Sequence, residues 1–167
     1  MGAQEQDRRH TISVWVENLP GVLSRVTGLF SGRGFNIESL CVAETMDPEV
    51  SRITLVTSGD EQITEQIIKQ LRKLINAVKV VDLSEVDHVE REMVMARVKA
   101  EDRSRPEVLR IADIFRCRVV DVSQNTYTLE ITGTREKTNA VLGLLKPHGI
   151  LDVVRSGALA IQRAKKD

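Results

Sequence analysis

The chain is expected to fold as an α+β protein built from two successive βαββαβ units. Three observations predict this. The apolar residues switch between a period of 2 and a period of about 3.6 along the chain, the marks of strands and of helices. The same order of six segments occurs on both sides of a charged stretch, Ser84 to Glu92. Each helical segment carries a single apolar stripe, which suits a helix lying on one face of a sheet.

In the first unit, Ile12, Val14 and Val16 alternate within a strand from Thr11 to Glu17. The Pro20-Gly21 turn opens a helix over Gly21 to Gly32, striped by Val22, Leu23, Val26, Leu29 and Phe30. Strands follow at Asn36 to Glu44 and Ser51 to Ser58, joined by the polar, Pro-containing link Met46-Asp47-Pro48-Glu49 that a hairpin needs. Gly59-Asp60 ends the third strand. A helix over Glu61 to Ile75, with Ile63, Ile67, Leu71, Leu74 and Ile75 on one face, leads into a strand from Val78 to Leu83.

The second unit repeats the plan with little residue identity. It reads as a strand over Met93 to Lys99, a helix over Arg105 to Phe115, strands over Arg118 to Ser123 and Thr126 to Gly133, a helix over Glu136 to Leu145 and a strand over Ile150 to Ile161. Val108, Ile111, Ala112 and Phe115 stripe one helix and Val141, Leu144 and Leu145 the other, while Tyr127, Leu129 and Ile131 alternate along a strand. The expected organisation is a flexible tail over residues 1–10, a first domain over 11–84 and a second over 85–167. A unit of about 70 residues is near the lower limit for an independent core, and a sheet with helices on one side leaves its other face and its edges open. Pairing between subunits is the expected cover.

Composition excludes several function classes. Lysine plus arginine and aspartate plus glutamate number 24 each, so no net field draws in nucleic acid or anionic lipid. No apolar run approaches the roughly 18 to 20 residues of a membrane span, and the amino terminus lacks a basic-then-apolar signal. Cys41 and Cys117 have neither the pairing of a zinc site nor the density of a secreted scaffold. A soluble protein of the reduced cytoplasm is expected, with both thiols packed among strand residues.

The sharpest local pattern is Asn18-Leu19-Pro20-Gly21-Val22-Leu23, followed by Gly34-Phe35-Asn36-Ile37-Glu38-Ser39-Leu40. A helix start leaves backbone N–H groups without intrahelical acceptors and adds a favourable dipole for an anion, about 0.3 to 1 kcal/mol. Gly21 permits close approach, Asn18 can accept from an ammonium or donate to a carboxylate, and Val22, Leu23 and Ile37 are apolar walls. Together these types suit a free amino acid. Asn before Pro-Gly equally serves as a plain turn or helix cap.

This segment closely resembles the amino-terminal ACT domain of the regulatory small subunit of acetolactate synthase, also called acetohydroxyacid synthase. The resemblance continues through His88-Val89-Glu90-Arg91-Glu92, Ile114-Phe115-Arg116 and Val154-Arg155-Ser156-Gly157, so it spans nearly the whole chain. It implies two ferredoxin-like units, the first an ACT domain. It further implies a non-catalytic subunit that binds a branched-chain amino acid, most of all valine, through Asn18, Gly21, Val22, Leu23, Asn36 and Ile37. In the resembled family the segment matching Asn36 and Ile37 comes from the partner of an ACT homodimer. The resemblance assigns feedback inhibition and activation to this subunit, and thiamine diphosphate, Mg and FAD to the catalytic large subunit. An ACT regulator of some other enzyme is the alternative.

Other conspicuous residues have duller roles open to them. His88, Glu90 and Glu92 alternate as three metal ligands would, but they equally suit a solvated strand entrance with a carboxylate paired to an arginine. Trp15 is out of phase with the buried residues of its strand and faces away from the helices, towards a dimer partner, the second domain or another protein. Arg155-Ser156-Gly157 interrupts the last strand as a bulge or a docking surface. His10 and His148 read as surface residues. An RNA-binding βαββαβ domain would need aromatic platforms, yet aromatic residues make up 3% of the chain and Arg33-Gly34-Phe35 lies before the second strand rather than in the third. No nucleophile with its base, and no paired acid and base, supports an enzyme.

Overall fold

The computed structural model describes residues 8–164, so the first seven residues of the expected tail lie outside the described residues. Two compact units emerge: one comprises the described residues up to Val89 together with those from Ala158 onward, the other Glu90–Gly157.

The first unit runs β1 (Arg8–Glu17), α1 (Val22–Ser31), β2 (Ser39–Glu44), β3 (Val50–Gly59), α2 (Glu61–Arg72) and β4 (Ala77–Asp82), then a 3-10 turn, Leu83–Glu85. Its sheet has the order β2-β3-β1-β4, with Ile12 opposite Leu55 on one side of β1 and Asp82 on the other. Ile12, Val14, Val16, Ile53 and Leu55 point to the helices and meet Val22, Val26, Phe30, Ile67 and Leu71 in one core. Two expectations at the ends fail. β1 begins at Arg8, so residues 8–10 belong to the strand and not to a tail. α2 stops at Arg72, and Ile75, expected on its buried stripe, is 89% exposed because the helix that would have turned it inward has already ended.

The sheet's other face is covered in part by the chain itself. Ser13, which alternates away from the helices, is fully buried. Arg52 beside it donates to Ser13 Oγ at 3.0 Å and to Ala160 O at 2.6 Å, and Ala158 N–H reaches Ser39 Oγ at 3.4 Å. Subunit pairing is therefore not needed for this part of the cover.

The second unit comprises β5 (His88–Lys99, whose first residues belong to the first unit), α3 (Arg105–Ile114), β6 (Arg118–Val122), β7 (Thr126–Gly133), α4 (Arg135–Leu145) and β8 (Ile150–Arg155). The strand order is β6-β7-β5-β8, the first unit's order repeated. Val94, Ala96, Val98, Leu129 and Ile131 pack under Val108, Ile111, Ala112, Val141 and Leu145. Leu144, expected on that stripe, is 48% exposed.

The single last strand expected over Ile150 to Ile161 is broken. Ser156 N–H donates to Met93 O at 3.0 Å and Ser156 Oγ accepts from Met93 N–H at 3.1 Å, after which Gly157 turns the chain with φ +82°. A separate strand, β9 (Leu159–Gln162), follows, and Arg163 N–H donates to Asp87 O at 2.8 Å, returning the chain to the first unit. The interruption at Arg155-Ser156-Gly157 is thus a turn.

Glu92 locks this corner. Its buried carboxylate accepts from Arg155 Nη1 at 2.9 Å and from Thr138 Oγ1, while Arg155 Nη2 donates to Asn139 Oδ1 at 2.6 Å. One carboxylate ties β5, β8 and the first turns of α4 together. Glu92→Ala is expected to destabilise the chain by about 2 kcal/mol, since it removes the carboxylate partner of Arg155 and one of the two acceptors of the Thr138 hydroxyl, which keeps Arg135 O at 3.0 Å. Thermal melting followed by circular dichroism checks this, and Glu92→Gln, which keeps one acceptor, should lose less.

Candidate amino-acid site at the start of the first helix

The path from β1 into α1 is fixed by short local bonds. Leu19 N–H donates to Glu17 O at 2.9 Å and Val22 N–H to Leu19 O at 3.3 Å, which folds Asn18-Leu19-Pro20 into a tight turn. Gly21 then caps the helix with φ +83° and ψ −9°, a left-handed conformation that glycine adopts without strain, and its carbonyl accepts the first helical bond from Arg25 N–H at 3.1 Å. Nothing lies within 4 Å of where a Cβ at Gly21 would stand, so the space in front of the helix is open.

α1 lacks the side-chain cap that α2 and α4 have, as does α3, where Ser104 makes no capping bond. In α2 the Asp60 side chain accepts from Ile63 N–H at 2.7 Å, and in α4 Thr134 accepts from Lys137 N–H. No side chain caps α1, and its first turn holds no acidic residue. The donors after Val22, those of Leu23 and Ser24, are thus positioned for an external anion. Leu19 and Leu23 are 56% and 41% exposed and supply apolar surface beside them.

The expected site residues divide into two groups. Asn18, Gly21, Val22 and Leu23 stand together at this helix start. Val22 turns its side chain into the core, so its contribution here is backbone. Asn18 Nδ2 donates to Pro48 O at 2.9 Å and its N–H to Glu49 O at 2.7 Å, fastening the loop to the β2–β3 link. Asn36 and Ile37 sit beyond the other end of α1, a helix of 10 residues and therefore about 15 Å long. Asn36 is exposed and its carbonyl accepts from Thr57 Oγ1 at 2.8 Å; Ile37 packs half-buried on its own core. The strand expected from Asn36 begins at Ser39, because Gly34, at φ +70°, and the next residues complete the turn out of α1.

The other singled-out residues find ordinary partners. His88 Nδ1 lies 2.9 Å from Val86 O, and among the described residues no group of three His, Cys, Asp or Glu side chains could hold a metal ion. Trp15 does face away from the helices, and is held between Arg52, 4.4 Å from its ring centre, and Lys79 at 5.0 Å. Cys41 and Cys117 are free and half-buried. Burial pushes the Cys117 thiol up, with Lys137 opposing, so it stays protonated at neutral pH. His10, expected at the surface, is 2% exposed. Its phase with Ile12, Val14 and Val16 was the signal for burial, missed because the expected strand begins only at Thr11.

The sequence matches two family models that follow the two units. An "AHAS small subunit-like ACT domain" matches residues 12–79, and "Small subunit of acetolactate synthase" matches residues 91–164. The acetolactate synthase small subunit of Haemophilus influenzae is 51% identical over 95% of this chain and 98% of its own length, and that of Aquifex aeolicus 50% identical over 95% and 83%. The crystal structure of the small subunit from Thermotoga maritima superposes with a TM-score of 0.87 at 39% identity, covering 95% of this chain and 99% of that one. No helix among the described residues is long and apolar enough to cross a membrane. The chain belongs to the acetolactate synthase small subunit family.

Proposed function

We propose that the chain is a non-catalytic regulatory subunit that binds a branched-chain amino acid, valine above the others, at the start of α1 and conveys its presence to a catalytic large subunit. The observation that carries this reading is the uncapped helix start, with open space in front of Gly21 and exposed leucines beside it. The ligand carboxylate sits at the Leu23 and Ser24 N–H groups, its side chain lies against Leu23, and its ammonium meets the oxygen of an asparagine. The relatives' names as small subunits support a large partner subunit, to which the carbon chemistry belongs in this reading, with thiamine diphosphate, Mg and FAD as its expected cofactors.

The second half of the site comes from a second copy of the chain. β2 is an edge strand. Thr45 N–H donates to Val50 O, so by alternation along the ladder the N–H groups of Leu40, Val42 and Glu44 face outward and are available to another strand. Two β2 edges paired antiparallel about a two-fold axis set the beginning of one beside the end of the other. Asn36 and Ile37 lie just before β2, while Asn18 is fastened to Pro48 and Glu49 just after it. Such a dimer carries Asn36 and Ile37 of one copy to the Asn18–Leu23 loop of the other, across the separation that α1 imposes within a single chain.

The second unit offers Glu101-Asp102-Arg103-Ser104-Arg105-Pro106 where the first has its ligand loop, which suits it to transmission and not to binding. A coupling of about 1 to 3 kcal/mol between effector and large subunit gives changes of roughly 5- to 150-fold and acts in both directions. Reconstitution with the large subunit tests the reading: acetolactate formation should rise on adding this chain and fall again on adding valine. Activity indifferent to both would overturn it.

A further inference from the structure

The turn after β1, the β2–β3 hairpin and the segment between α2 and β4 meet at one end of the first unit, and hydrogen bonds tie them together. Asn18 holds the hairpin through Pro48 O and Glu49 O. Glu17 N–H donates to Asn76 O at 3.0 Å, and Asn76 Nδ2 donates back to the Glu17 carboxylate. Arg25 Nη1, from α1, donates to Asn76 Oδ1 at 2.6 Å.

Each segment carries an apolar side chain in water. Met46 on the hairpin and Ile75 before β4 are the two most exposed large apolar residues among those described, Met46 fully so, and Leu19 in the turn is more than half exposed. Leu19 follows Asn18, Ile75 precedes Asn76 and Met46 lies two residues before Pro48, so the bonds listed above gather all three at this end. A single exposed apolar residue is ordinary, but a gathered set marks a surface for a partner. Its backbone is already fixed, which lowers the ordering cost of docking.

The rim says what fits. Glu44, Asp47 and Glu49 crowd the hairpin and have no cationic partner among the described residues; Asp47 spends Oδ1 on Glu49 N–H at 3.0 Å. Arg25 is given to Asn76, and the charge next to Ile75 in the chain is Lys73, so the negative edge belongs to the hairpin. A second copy docked here about a two-fold axis would bring the same three carboxylates to the contact, a poor match. We infer that this end of the first unit docks on the catalytic large subunit, in an apolar groove whose rim over the hairpin carries lysine or arginine. The inference rests on the reading that the chain serves a large subunit, and it seats that subunit beside the amino-acid loop.

Surface plasmon resonance of the intact chain over immobilised large subunit of the same organism tests this, with circular dichroism to report that each variant is folded. Ile75→Lys and Met46→Lys should each weaken binding at least about tenfold. Glu49→Lys, which keeps the carbonyl that holds Asn18, should weaken it at least about fivefold, and the wild-type affinity should fall as salt rises. No binding by the wild-type chain would overturn the large-subunit reading and this inference with it. Wild-type binding that folded Ile75→Lys and Met46→Lys leave unchanged would overturn this surface alone, and unchanged or tighter binding by Glu49→Lys would overturn the basic rim.

Discussion

Gly21→Asp is expected to abolish the response to valine while leaving a folded chain that still activates its catalytic partner. Position 21 adopts φ +83°, which disfavours a side chain by about 1 to 2 kcal/mol, but no atom within 4 Å obstructs the new Cβ. An aspartate at a helix cap also accepts from the first-turn N–H groups and returns roughly 0.5 to 2 kcal/mol, so net stability should scarcely change. The same carboxylate occupies the donors meant for the ligand and repels its charge. Affinity should fall by at least about 100-fold, near 2.7 kcal/mol. Valine inhibition of the reconstituted enzyme and calorimetry of the variant measure this. Gly21→Ala, strained but uncharged, should keep much of the binding, which separates the effect of charge from that of backbone conformation. Asn18→Ala is a less clean test, because the side chain also holds the loop to Pro48.

Val42→Pro should be nearly as severe, by another route. The N–H of Val42 faces away from β3, so proline there removes no bond between β2 and β3, and proline is tolerated at such edge positions. It does remove a donor from the free edge and places a ring in the path of an approaching strand. The expected product is a folded monomer that binds valine at least about 100-fold more weakly, because Asn36 and Ile37 of a second copy no longer complete the site. Analytical ultracentrifugation and calorimetry on the same sample check both halves. A folded Val42→Pro monomer with undiminished affinity would show that one chain holds the whole site.

These two positions also show what the sequence could reveal. Gly21 was legible because a Pro-Gly pair before an apolar stripe specifies a helix start locally, through turn chemistry. The order of strands and helices was legible for a similar reason, since periodicity is local and each unit has one buried face. What failed depended on distant partners. Nothing near Asn18 in sequence says that its amide reaches Pro48. The last strand looked continuous from Ile150 to Ile161 because its apolar run continues, whereas the turn at Gly157 is fixed by Ser156 bonding Met93, 63 residues earlier. Glu92 reads as a solvated charge until Arg155 and Thr138 are seen around it. His10 was the one miss with a local signal, its phase with the buried side of β1.

Whether the start of α1 holds a branched-chain amino acid is measured most directly by calorimetric titration of the intact chain with valine, leucine and isoleucine. Saturable binding of one molecule per chain is expected, tightest for valine, and lost in Gly21→Asp. Absence of binding by all three, or valine binding that survives Gly21→Asp unchanged, would contradict it.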